Sequence, residues 1–227
     1  MKIVFLADIV SVNDMNPEIL LDGSWQRILN IKRFGTRNMV SAISVAEHSW
    51  LVAMLSMMIC DNIVHFCKDI SYDKEIYVRV LEKSILHDIE ECFLGDIPFE
   101  TFTRPIIKEA KDKLGPHILD VLFEEPQYSR YKKIWKDSKD GITGLIIKYS
   151  DMLSVLVESI REIRVGSNNL NDVVVRCLDL LDDIVSIEFI ENRNYSIDEK
   201  QTFATTKDFL IKLNKSLRKY VKENYDL

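Results

Sequence analysis

Glycine and proline are scarce in this chain, at 7 and 5 of 227 residues. So few turn formers suit long helices. No stretch alternates with period two far enough to argue for a sheet, and no internal repeat or low-complexity segment is visible. The four cysteines, Cys60, Cys67, Cys92 and Cys177, form no C-x-x-C pair. That excludes a cysteine-based zinc cluster or disulfide framework and fits reduced thiols in a cytosol. Basic charge is not in excess either. With 30 Lys and Arg against 36 Asp and Glu, a net charge of −6, nucleic acid or an anionic membrane is excluded as the main partner, because phosphate backbones are met by a Lys/Arg surplus. A small anionic substrate stays open, since a few local basic residues suffice for it. Long apolar runs are also missing. The most apolar stretch, Trp50 to Cys60, has 11 residues, too few to cross a bilayer. Asp8 interrupts the apolar start and no small-residue cleavage site follows, so no signal peptide is expected and the expected location is cytoplasmic.

What is present, 47% hydrophobic and 29% charged residues, fits one all-α domain, or one domain with an appended element. The first 23 residues carry turn signals and no clear element. Ser24 is an N-cap candidate for a short helix to Ile31. Ser44-Val-Ala-Glu47 reads as a capping box opening a helix to about Cys67, with His48 in its first turns. The next helix, about Asp73 to Phe93, carries His87-Asp88 near its end, and Gly95 stops it. Two helices are expected at about 103–113 and 116–124, separated at Gly115-Pro116, then an amphipathic piece over 127–138. A long helix from Asp140 to about Val165 carries Asp151. Another runs from Asn171 to about Phe189, and Ser196-Ile-Asp-Glu199 is a second capping box ahead of a last helix to about Tyr220.

A divalent ion that activates water needs two to four fixed ligands, usually imidazole and carboxylate. His48, His87, Asp88 and Asp151 offer two nitrogens and two carboxylates. Glu91, four after His87 and three after Asp88, falls on the same helical face, whereas Glu90 is expected to point into solvent. An adjacent His-Asp pair in a charged helix is, on its own, more often chance than a ligand pair. His65 and His117 are expected to be packing or surface residues.

The motifs Arg33-Phe34, Ala46-Glu47-His48-Ser49, His87-Asp88-Ile-Glu-Glu91-Cys-Phe-Leu-Gly95-Asp96-Ile97-Pro98 and Lys148-Tyr-Ser-Asp151 resemble, in order and spacing, the HD-domain phosphohydrolases and within them the YfbR-like 5′-deoxynucleotidases. The likeness spans roughly residues 27 to 165, with 166–227 as a C-terminal helical extension. It implies an all-helical fold and a single divalent metal ion (Co, Mn, Zn or Fe) held by His48, His87, Asp88 and Asp151. It also implies hydrolysis of deoxyribonucleoside 5′-monophosphates, a homodimer, Arg33 on the substrate phosphate and Asp96 near the sugar. Glu91 is the expected general acid, Lys148 a further phosphate contact, and Arg37 a weaker one.

The chain departs from that family at the sugar. Where YfbR-like enzymes have a tryptophan after the arginine and a threonine before Gly-Asp, this chain has Phe34 and Leu94. Three other readings compete. Small phage-encoded dATP triphosphohydrolases resemble the same group; alarmone hydrolases share the His-Asp-x-x-Glu run but lack the Ala-Glu-His-Ser and Gly-Asp-Ile-Pro elements; and a binding module without chemistry would be expected to have lost ligands, of which none is missing.

Overall fold

The computed structural model describes residues 17–21, 23–67, 70, 72–96, 104–138, 140–186 and 197–225. Among these it is all-helical, with one isolated antiparallel bridge between Lys32 and Ser44. The elements in chain order are α1 (Pro17–Leu21), a 3-10 helix (Ser24–Leu29), α2 (Val45–Phe66), α3 (Lys74–Leu86), α4 (Glu91–Leu94), α5 (Arg104–Leu122), α6 (Gln127–Lys136), α7 (Gly141–Arg164), α8 (Asn171–Ser186) and α9 (Ile197–Asn224). The expected capping box at Ser196, and Ile97 and Pro98 of the loop motif, lie outside the described residues.

The first capping box forms as read: the Ser44 hydroxyl accepts from the Glu47 N–H at 3.1 Å, and the Glu47 carboxylate accepts from the Ser44 N–H at 2.6 Å. That bond pair sets the start of α2, and with it the height at which His48 enters the core. The helix is 22 residues long and passes as bilayer-spanning by length and composition, which the 11-residue run did not suggest. It lays a face of His48, Val52, Ser56, Ile59 and Ile63 against α3 and α7. The larger apolar cluster joins Ile59 and Ile63 to α7, α8 and α9 through Ile146, Tyr149, Leu181 and Leu210. A smaller cluster of Ile28, Val45, Leu86, Ile89 and Leu119 fills the space between the 3-10 helix, α5 and α6. Elements that feed both clusters meet around His48 and His87.

Four expectations need correction. Ser24 is not an N-cap: Gly23 precedes the element, which winds as a 3-10 helix without a side-chain cap. Gly115-Pro116 does not break the chain into two helices. A Cβ at Gly115 would come within 2.3 Å of the Trp135 ring, so glycine is required there for α6 to lie close on α5, and Pro116 sits inside a continuous helix. The helix carrying His87 ends at Leu86, seven residues early. The His87 ring Nδ1 donates to the Ser84 carbonyl at 2.8 Å, taking the acceptor that the backbone ladder would use. The following amides instead bond three residues back, Glu91 to Asp88 and Cys92 to Ile89. In such a tightened turn residues i and i+3 eclipse, so Glu90 falls beneath His87 and Glu91 beneath Asp88. Glu90 is therefore fully buried rather than solvated.

Candidate active site

His48 from α2, His87 and Asp88 from the turn after α3, and Asp151 from the middle of α7 converge, each offering a ligand atom within 4.8 Å of the others. The two imidazole Nε2 atoms lie 3.3 Å apart. His48 Nε2 is 3.2 Å from Asp151 Oδ1 and 3.7 Å from Asp88 Oδ2, and His87 Nε2 is 3.0 Å from Asp88 Oδ2 and 4.0 Å from Asp151 Oδ1. An ion bound at roughly 2.0–2.2 Å by nitrogen and oxygen spaces neighbouring donors about 3–3.5 Å apart and opposed donors about 4 Å apart. The donor set fits that requirement.

The rear of each ring supports the same fit. With Nδ1 of His87 bonded to the Ser84 carbonyl, its Nε2 is the atom left for the cluster. At His48 the inference comes from Ser154, whose single hydroxyl proton is given to the Asp151 carbonyl at 2.7 Å. At 2.9 Å from His48 Nδ1 the hydroxyl is then an acceptor, so Nδ1 carries the hydrogen and Nε2 presents its lone pair. Two imidazole Nε2 atoms and two carboxylates facing one point suit a cation, which would take the place of the proton on His87.

The charges say so as well. Burial lowers the His87 pKa, but the charge and hydrogen bond of Asp88, then Asp151, outweigh it and raise the ring to about 9. For Asp88, burial alone would raise the pKa, yet His87 and Lys111 hold it well below the ordinary carboxylate value. Glu91 behaves oppositely: burial and the Asp88 charge push it well above its ordinary value, with Lys111 and Arg33 offsetting part of the effect. Its Oε2 is buried with no hydrogen-bond partner among the described residues.

Arg33 is buried, its Nε 3.4 Å from Glu158 Oε1 and its Nη1 4.0 Å from Asp96 Oδ1. The next residue, Phe34, adopts φ 55°, a strained left-handed conformation for a bulky side chain. The Asp96 carboxylate holds it there, accepting the Phe34 N–H at 2.8 Å. The Phe34 ring packs in the larger core cluster, 5.7 Å from the Arg33 guanidinium. Leu94 ends α4, and Gly95 at φ 73° turns the chain to Asp96. Lys148 is exposed on α7, three residues before Asp151. Arg37 is turned to structure: it pairs with Asp172 at 2.7 and 2.9 Å and donates to the Asn169 carbonyl, pinning the 35–43 segment to the start of α8. His65 and His117 are exposed and lie outside the cluster.

Four residues escaped the sequence reading. Lys111 of α5 places its ammonium 2.8 Å from Asp88, 3.0 Å from Glu90 and 3.4 Å from Glu91, and Glu90 also accepts from the Trp135 indole at 2.8 Å. On α7, Ser154, Glu158 and Glu162 continue the face of Asp151 at three, seven and eleven residues, all buried. Glu158 lies 3.3 Å from His48 Nδ1, and Glu162 accepts the amides of Val40 and Ser41. Polar residues recurring at helical spacing on an otherwise apolar helix were the available clue to Ser154, Glu158 and Glu162.

No curated protein matches the chain. Solved structures do. An HD-domain phosphohydrolase from Listeria innocua superposes with a TM-score of 0.64 at 22% identity, covering 88% of each chain. A conserved hypothetical protein from Pyrococcus furiosus does so with 0.64 at 18%, covering 90% of this chain and 99% of that one. The HD phosphohydrolase of cyanophage S-2L, solved with dA and one catalytic Zn2+ ion, gives 0.57 at 16%, covering 87% and 95%. These likenesses establish the all-helical HD-domain fold. The family match reaches further along the sequence than the motifs do, from residue 23 to residue 195. On that match, and with a two-histidine, two-aspartate centre built by the same fold, the chain belongs to the YfbR-like 5′-deoxynucleotidase family and is a metal-dependent phosphohydrolase.

Proposed function

We propose that the chain hydrolyses deoxyribonucleoside 5′-monophosphates to deoxynucleoside and phosphate, with one divalent ion held by His48, His87, Asp88 and Asp151. The observation that carries the proposal is the pair of imidazole Nε2 atoms facing two carboxylates, within one charge network with the buried Arg33 and the buried, unpaired oxygen of Glu91. A divalent ion there supplies Lewis-acid polarisation of a phosphoryl oxygen and an acidified water. Mn2+, Co2+, Zn2+ and Fe2+ all suit such a donor set, with availability deciding among them.

The chain's own groups do the rest. Arg33 presents a planar fork to two non-bridging phosphate oxygens, held by Glu158 and Asp96. Lys148 adds a second positive contact. Glu91, whose pKa burial and Asp88 raise well above the ordinary carboxylate value, is the general acid that gives a proton to the departing 5′-oxygen. By resemblance to the family, Phe34 and Leu94 stand for the sugar side of the site. An apolar wall leaves a ribose 2′-hydroxyl unpaired, at about 1–3 kcal/mol, or roughly ten- to hundredfold in specificity. The test is a panel of dNMPs, NMPs and dNTPs assayed with Mn2+ or Co2+. Deoxyribonucleoside monophosphates are expected to be preferred with broad tolerance of the base, and equal rates on AMP and dAMP would refute the sugar argument.

A second reading, dNTP (dATP) triphosphohydrolysis, is equally consistent with the likeness to the cyanophage enzyme, because the deoxynucleoside it holds, dA, is a product of either reaction. Tripolyphosphate as product, with dATP preferred over dAMP, would decide for it. We further propose a cytoplasmic homodimer. Trp50, Met54 and Met58 form an exposed apolar line along α2, the kind of face that a second copy covers.

A further inference from the structure

We propose that Glu158 is a positioning residue shared by both halves of the site: one carboxylate oxygen sets the ring of His48 and the guanidinium of Arg33 together, so that metal binding and phosphate binding are coupled through it. The inference rests on the reading of His48 as a metal ligand and Arg33 as a phosphate contact.

Glu158 lies two turns beyond Asp151 on α7 and is 5% exposed. Its Oε1 is 3.3 Å from His48 Nδ1 and 3.4 Å from Arg33 Nε. Because Nδ1 carries the hydrogen, the rear of His48 faces two acceptors, the Ser154 hydroxyl and this carboxylate. A carboxylate behind a ligating imidazole fixes its tautomer and orientation and raises its basicity toward a metal. On its other side the same oxygen meets Arg33. Neither Arg33 Nε nor Glu158 Oε1 makes a hydrogen bond of normal geometry among the described residues, so each buried charge is offset chiefly by its ion-pair neighbours. Removing one partner of a buried pair leaves an uncompensated charge. A shift of the carboxylate toward the histidine is therefore a shift away from the arginine, and the two functions share one acceptor.

Three variants separate this from a merely structural role. Ser154→Ala removes an acceptor behind His48 together with a bond to the Asp151 carbonyl and leaves Arg33 alone, Arg33→Ala removes the phosphate contact itself, and Glu158→Gln acts on His48 and Arg33 together. The metal-free protein is titrated with Co2+ followed by visible absorption, and the loaded protein with inorganic phosphate and with dAMP. Glu158→Gln should weaken Co2+ binding about tenfold and also weaken phosphate binding and raise KM for dAMP about tenfold, with kcat changed less. In an Arg33→Ala background the same substitution should keep its Co2+ effect and add no further rise in KM. Should the amide prevent folding, judged by helicity and melting temperature, Glu158→Asp withdraws the charge by one methylene and should produce both shifts in smaller measure. Unchanged Co2+ affinity, or a phosphate effect undiminished without Arg33, overturns the proposal. If no dNMP is turned over, the functional reading fails by itself, and the Co2+ and inorganic phosphate titrations still decide the role of Glu158.

Discussion

Metal uptake by this protein should displace a proton from His87, and the structure says how far the pH dependence extends. In the metal-free protein His87 Nδ1 is committed to the Ser84 carbonyl, so the competing proton sits on Nε2, 3.0 Å from Asp88 Oδ2. Against burial, which lowers it, the Asp88 and Asp151 charges raise the ring from 6.5 to about 9. An ion must replace that proton, so apparent affinity climbs about tenfold per pH unit while the ring is still charged. From pH 7 to 9 this amounts to roughly a hundredfold, whereas an unperturbed ring would level off near 6.5. The sign for folding is opposite. A histidine whose pKa is raised in the folded state stabilises it fully below about 6.5 and loses that contribution as pH rises through about 9, on the order of 3 kcal/mol at about 1.4 per unit. The metal-free protein should therefore melt progressively lower over that window, and the gap to the metal-loaded form should widen. The assay is Zn2+ or Co2+ competition with a chelator of known proton affinity, together with proton release in weak buffer. Affinity that stays flat between pH 7 and 9, after correction for the chelator, would refute the reasoning.

Two more outcomes are expected. Glu91→Ala should lower turnover on the order of a hundredfold or more with the metal retained, and loss of metal in that variant would reassign Glu91 as a ligand. In sedimentation at micromolar concentration the protein should run as a dimer that Trp50→Glu dissociates, and a monomeric parent protein would count against the α2 face as an interface.

The fold class and the convergence of His48, His87, Asp88 and Asp151 were legible because they depend on what is local or on residue type. A capping box starts α2, an unbroken apolar side runs along α7, and two imidazoles with two carboxylates are scarce chemistry in a chain with 4 histidines. The rest depended on distance or on competition. Helical geometry alone turned Glu90 outward, because nothing in the sequence says that the His87 ring takes the Ser84 carbonyl and tightens the turn. Lys111 sits in the charged run Lys108-Glu-Ala-Lys-Asp-Lys113, where its spacing resembles that of its solvated neighbours. Only the packing of α5 brings it to three carboxylates. Gly115-Pro116 carries the signature of a break, yet the glycine is there for the Trp135 ring.

The polar line on α7 has a consequence for how this chain tolerates change. At about 100° per residue, Asp151, Ser154, Glu158 and Glu162 fall within an arc of about 80°. They serve in turn the metal cluster, His48, Arg33 with His48, and the 40–41 backbone. Substituting one of them damages one contact. Inserting or deleting a single residue between 151 and 162 swings everything beyond it by about 100° and detaches every one of these contacts that lies beyond the change. Length variation in this protein's lineage therefore belongs in connections such as 166–170, and α7 acts as a ruler whose graduations can be repainted but not respaced.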